Sequence, residues 1–210
     1  MKTNPFSHVS IKRSTIILAA LFLGLTLSVS ANAQSAYKTQ AIYKVAGKPN
    51  ITLYGTSTLH NWTMIATTFA CNAEFDVAQD NTLAALQSLS LTLPVHNLKS
   101  EHDGLNDNAY EALNADKYKD ITFRSSSAKV TSTGGNKYQL AAYGNLTIAG
   151  VTRPVTLNAT AVVNADGSVS VSGTVPLKMT DYGVKPPSFM LGAMKAGDAL
   201  TLNYALVFVK

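Results

Sequence analysis

Cysteine is almost missing from this chain. Cys71 is the only one in 210 residues, so no intrachain disulfide can form and the fold must be held by packing. Phe69, Ala70 and Ala73 surround it in sequence, which predicts a buried thiol acting as a small hydrophobe. Catalytic signatures are missing too. No G-x-S-x-G elbow occurs, because Gly55-Thr56-Ser57-Thr58 lacks the second glycine. Glu101, His102 and Asp103 cluster, but acidic residues just before a helix are expected to act as solvated caps. After the N-terminal region histidine is limited to His60, His96 and His102. The spacing of His96 and His102 suits neither a helix face nor a zinc loop, and no second cysteine supports it. The residues therefore call for no metal and no cofactor.

Strong charge of one sign is absent as well. The chain carries 17 basic and 12 acidic residues. Lys2, Lys12 and Arg13 precede Gln34 and no acid does, which leaves 14 basic against 12 acidic, a net +2. That field is too weak to argue for nucleic acid. The same three cations open a segment whose Thr15–Val29 stretch is uncharged and mostly apolar, followed by Ala31-Asn32-Ala33. This pattern predicts a signal peptide over residues 1–33 and a mature domain over 34–210, periplasmic or secreted. The apolar run is short for a membrane span. No cysteine follows it to carry a lipid anchor.

What the mature region has is alternation. From Val155 to Val163 every odd position is apolar, and the parity resumes at Val169, Val171, Val175 and Leu177 after an Asp166-Gly167 turn. Leu89–Val95, Ile121–Phe123 and Leu200–Phe208 alternate in the same way, and Gly134-Gly135 marks another turn. Strands are expected near 37–45, 50–58, 62–76, 87–96, 121–131, 137–148, 151–164, 169–179 and 199–209. Such spacing suits an antiparallel barrel or sandwich. Asn106–Asn114 interrupts it: its polar residues can cap a helix, and Leu105, Ala109 and Leu113 fall at i, i+4. Pro186-Pro187 predicts an irregular element over 185–195. Alternation does not separate a hollow barrel from a filled sandwich, since both bury one face of each strand. Ala159, Ala161 and Gly173 are small at inward positions, which leaves either space or room for large partners.

Four stretches carry a resemblance. They are YGNLTIAGVTRPVTL (Tyr143–Leu157), GTSTLHNWTM (Gly55–Met64), the run from Leu91 to Phe123 with its Leu98-Lys99-Ser100, and the run from Thr180 to Phe208. Together they resemble the YceI-like family of lipocalin-like, polyisoprenoid-binding proteins. The chain departs from many members at Lys119, where proline usually follows the tyrosine, and its His60-Asn61-Trp62 marks one branch. The resemblance implies an all-β fold, an extended antiparallel eight-stranded lipocalin-like barrel with one or two short helices. It further implies non-catalytic holding of a polyisoprenoid, quinone-like or fatty-acyl chain inside an apolar barrel.

On that implication the ligand meets Leu91, Leu93, Phe123, Leu146, Ile148, Val155 and Leu157 along the interior. Phe189, Met190 and Met194 form an apolar portal after Pro186-Pro187. His60 and Trp62, two apart, share one side of a strand and meet a head group, or else are simply a packed tryptophan beside a bonded histidine. Arg153 and Lys185 are available to a head group. The partners expected are a long-chain apolar ligand, a transient membrane contact and a second copy of the chain. The competing reading is a structural or stress-related interaction module with a filled core, and a lipid-acting enzyme stands behind it.

Overall fold

The structure, a computed structural model, describes residues 39–189, 191 and 193–210. The predicted signal peptide and Met190 lie outside the described residues, and so does the side chain of Phe189. The strands are β1 (Thr39–Gly55), β2 (Trp62–Ala66), β3 (Ala70–Val77), β4 (Leu83–Pro94), β5 (Asp120–Gly134), β6 (Lys137–Ile148), β7 (Val151–Val163), β8 (Val169–Lys178), the two-residue β9 (Ser188–Phe189) and β10 (Met194–Lys195), and β11 (Ala199–Val209). Among the described residues there is one α-helix, α1, over Asp103–Ala112.

β3 through β8 pair antiparallel with their chain neighbours, and β11 joins β8. Closure falls to β1. One of its edges pairs with β11, from Lys44↔Val209 to Tyr54↔Thr201. The other edge pairs with β3 over Thr39–Lys44 and with β2 over Ile51–Gly55. The result is a closed eight-stave barrel in which β2 and β3 share one stave.

Two expected strands, 37–45 and 50–58, are thus one long strand. A bulge between Ala46 and Asn50 bends β1 without ending it. Gly47 takes φ +76° there, a value open to glycine at little steric cost, and Pro49 withholds no ladder donor at a bulge. The expected strand 62–76 breaks instead, at residues 67–69. β2 leaves the line of β3 to bond Ile65 with Lys99, at 2.6 and 2.9 Å. The Asp166-Gly167 hairpin forms as expected, with the Asp166 carboxylate accepting from Ser168 N at 3.0 Å and Ser168 Oγ at 2.7 Å.

The barrel is filled at one end only. Near the start of β1, Tyr43, Phe75 and Phe208 stack edge to face at centroid separations of 5.3 and 5.6 Å, a favoured aromatic geometry. Ala161, Val163 and Val169 seal that end and are fully buried. At the other end the inward residues Leu53, Ile148, Leu177 and Leu200 are only half-buried. Gly173 resolves the question of small inward residues on its strand. The Tyr204 ring lies against it, where a β-carbon would stand 2.5 Å from the ring.

α1 and the excursion from Met179 to Asp198 sit over the half-filled end. The helix begins at Asp103, three residues before the predicted start. Asn106, expected as a cap, lies inside the helix and is buried to 8 % exposure. Its amide accepts from Ser100 N at 2.6 Å and donates to Ser100 O at 3.3 Å. The Tyr110 hydroxyl, at 3.2 and 3.0 Å from the carbonyls of His96 and Leu98, adds a second anchor. These bonds pin the helix to the segment before it. Leu105, Ala109 and Leu113 turn one side toward the barrel, as their spacing predicted.

Among the described residues one buried side-chain polar atom has no partner: the Tyr43 hydroxyl, on a residue with no exposed surface. An unsatisfied buried hydroxyl costs about 1–3 kcal/mol. Tyr43→Phe should therefore leave the urea midpoint unchanged or raise it. A loss of ~1 kcal/mol or more would show that the hydroxyl is bonded after all.

Candidate ligand-binding cavity

The half-filled end encloses a cavity of about 320 Å³. α1 supplies Leu105 and Ala109 to one side. β1 and β2 supply Leu53, Trp62 and Met64, the far wall supplies Ile148 and Leu177, and the excursion supplies Tyr182, Val184 and Met194. A second cavity of about 80 Å³ lies deeper, among Leu91, Phe123, Leu157 and Tyr204. Leu53 and Leu200 line the upper space, and Ile51 and Leu202 the lower. Ile51 and Leu53 lie two residues apart on β1, and Leu200 and Leu202 two apart on β11, so the two spaces stack along the barrel, with these lining residues one pleat repeat, roughly 7 Å, apart. Among the described residues no aspartate or glutamate lines either space.

The expected site residues divide accordingly. His60, Trp62, Ile148 and Met194 line the mouth cavity, and Leu91, Phe123 and Leu157 the inner one. Leu93 and Leu146 are buried in the packed core and line neither space. Val155 packs half-buried against the same core. Sequence parity placed these three inside, but whether an inward side chain meets space or a neighbour depends on the opposite wall. The residues missed include Leu177, Leu200, Leu202 and Tyr204, whose parity on β8 and β11 did point inward. Tyr182 and Val184 come from irregular chain and had no periodic signal.

His60 and Trp62 do meet one cavity, though for a different reason than strand alternation. His60 sits in the loop before β2 and Trp62 opens the strand. The Trp62 indole N–H donates to Thr56 O at 3.0 Å, and its ring covers Gly55. Its polar atom is thereby spent on the backbone, and the cavity receives only apolar ring. His60 Nδ1 lies 2.8 Å from Asn61 O. Because a carbonyl only accepts, Nδ1 carries the proton and Nε2 remains for other partners. His102 also lines the mouth, while His96 stacks on Tyr110 at 4.4 Å. Among the described residues no three His, Cys, Asp or Glu side chains converge.

The rim is made of two loops tied together. Thr58 N donates to Lys195 O at 3.0 Å, and the Thr58 hydroxyl donates to Ala193 O at 3.1 Å and accepts from Lys195 N at 3.2 Å. Gly197 N donates to Thr56 O at 2.8 Å. Asp198 holds the start of the excursion through Thr180 N and Oγ1 at 2.9 and 2.8 Å, and those bonds keep its carboxyl below the usual carboxylate range. Arg153 braces the same segment, its Nε donating to Asp181 O at 2.9 Å. Neither Arg153 nor Lys185 lines the cavity.

Deeper in, chemistry is muted. Burial pushes the Cys71 thiol up to about 12 and the Tyr204 phenol to about 12. The Tyr204 hydroxyl donates to Asn158 O at 3.0 Å. Both groups are neutral at physiological pH, and neither sits beside a base that could activate it. What this arrangement can do is hold an apolar chain.

The YceI-like domain model matches residues 30–208. No curated protein matches the sequence. Among solved structures, the fold is similar to Burkholderia cenocepacia BcnA at a TM-score of 0.60 and 24 % identity, over 76 % of this chain and 95 % of that one. It is also similar to a polyisoprenoid binding domain from Saccharophagus degradans, implicated in plant cell wall breakdown, at 0.59 and 9 % identity over 81 % and 98 %. A Campylobacter jejuni YCEI protein matches at 0.50 and 22 % identity over 67 % and 81 %.

Because the raised Cys71 pKa keeps the thiol protonated at ~pH 8, Ellman's reagent should label the native protein at least about a hundredfold more slowly than the urea-unfolded chain. Rapid native labelling would mean that the inner cavity is open to water.

Proposed function

The chain belongs to the YceI-like domain family, and from that membership and its stacked apolar cavities we propose that it is a lipid-holding protein of the periplasm. The cargo is a polyisoprenoid, quinone-like or fatty-acyl chain, held without covalent chemistry after residues 1–33 are removed. The observation that carries this reading is an apolar space of about 320 Å³ at one end of a barrel whose other end is solid. That volume falls within the roughly 300–1,000 Å³ range of small-molecule sites.

The energetics need no further ingredient. Burying apolar surface yields about 0.8 kcal/mol per CH₂. A five-carbon prenyl unit is then worth up to roughly 3–4 kcal/mol, and two or three units reach micromolar binding after association costs. The tail lies against Leu53, Met64 and Leu105, and its end reaches toward the inner space beside Phe123 and Leu157. Family membership in a group of binding domains and the absence of carboxylates from the described lining support a non-catalytic role.

Native mass spectrometry of the purified protein followed by organic extraction tests the reading. A discrete adduct that extracts as a prenyl or acyl lipid is expected. A clean apo mass that stays unchanged on adding prenyl quinones or fatty acids would shift the assignment to an interaction module. Ala109→Trp fills the mouth from α1 and should cut uptake of a neutral fluorescent lipid about tenfold, with far-ultraviolet circular dichroism unchanged. Leu157→Asp should abolish retention. A folded Asp variant with full lipid content would sink the proposal.

A further inference from the structure

Inward side chains grow less exposed along β11. Leu200, Leu202 and Tyr204 are half-buried, whereas Leu206 and Phe208 are buried. Their partners on β8 follow, from half-buried Leu177 opposite Leu200 to fully buried Val169 opposite Phe208. The half-buried members border space: Leu177 and Leu200 line the mouth cavity, Leu202 and Tyr204 the inner one.

The space ends on two rings. Phe75 and Phe208 line the inner cavity and meet edge to face at 5.6 Å. Tyr43 backs Phe75 at 5.3 Å, and it lines neither cavity. Ala161, Val163 and Val169 are likewise buried and line neither. An interior packed at native density does not yield to a chain pushed against it without lost contacts or strain. A tail descending from the mouth therefore stops at Phe75 and Phe208.

Resting on the lipid-holding reading above, we infer that these two phenylalanines are specificity residues, a floor that measures the cargo's tail. From Leu200 to Leu206 an antiparallel strand rising ~3.4 Å per residue and tilted about 40° covers roughly 15 Å of barrel axis. An extended chain covers about 1.2 Å per bond, as the polypeptide's own reach shows. The barrel thus takes up about a dozen chain bonds, which is three prenyl units or an acyl tail of about fourteen carbons. A longer tail leaves its surplus outside the mouth, where it buries nothing. Ala159 sets the depth from another wall. It is 7 % exposed, lines the inner cavity and pairs with Leu140 and Gly173, so a larger side chain there enters the space of about 80 Å³.

Displacement of Nile red by saturated fatty acids, from octanoate to stearate, tests this on the purified protein. Affinity should climb about fourfold per added methylene and level off at about fourteen carbons. Ala159→Leu should move the levelling point about three carbons shorter, and Phe208→Leu about two carbons longer. Ala109→Trp, at the mouth, should weaken every length alike and leave that point in place. Ala159→Leu fills space rather than opening it, so its result does not depend on the core tolerating a void. A levelling point unmoved in Ala159→Leu, or affinity still climbing at stearate in the native protein, overturns the floor and leaves the lipid-holding reading intact. If Nile red does not bind and no acid does either, the lipid-holding reading itself fails.

Discussion

Everything in this molecule depends on one strand serving two neighbours. β1 pairs with β11 along one edge and with β3 and then β2 along the other, and this closes the sheet. Closure satisfies the backbone donors and acceptors that an open edge would expose to other chains. With no disulfide available, the ladder and the packing inside it must hold the fold together. The bulge at Ala46–Asn50 is the device that permits this. It lets β1 bend around the barrel while keeping its inward face, with Tyr43 on one side of the bend and Ile51 and Leu53 on the other.

Closure also decides what the interior can be. An eight-stranded barrel is just wide enough for its own side chains to fill it or for one small ligand to be held. This chain is filled at one end and hollow at the other. At the closed end Tyr43, Phe75 and Phe208 interlock edge to face. At the other end β2 departs from β3 to bond Lys99, and α1 and the 179–198 excursion roof the space with loops tied through Thr58. A solid half stabilises the barrel, so the hollow half need not. The family to which the chain belongs fits that division, since a binder needs both a stable frame and an unfilled volume.

Aromatic rings over glycines recur where the hollow half meets the wall. Trp62 covers Gly55, Phe123 covers Gly144 and Tyr204 covers Gly173. In each case a side chain on the glycine would collide with the ring, and the ring shields a backbone that lacks a side chain of its own. Trp62, Phe123 and Tyr204 all line a cavity. The wall thus presents flat apolar faces to the two cavities, while the indole and phenol protons are spent on the carbonyls of Thr56 and Asn158.

Strand parity was legible residue by residue, because alternation is a local property with a period of two. The inward sets on β7, β8 and β11, the Asp166-Gly167 turn and the shared helix face of Leu105, Ala109 and Leu113 are all legible in the sequence. The fate of each inward residue could not. Leu93, Leu146 and Leu157 carry the same parity signal, yet only Leu157 meets a cavity, because the opposite wall is built by strands distant in sequence. The merging of two strands into β1 and the splitting of β2 from β3 were equally hidden, since both follow from closing the ring. Taken alone, the amino-acid order determined an all-β chain with one packed face per strand and no built catalytic set. Only the tertiary structure decided which half is hollow and which side chains line it, because a cavity is the space left over when remote segments have packed.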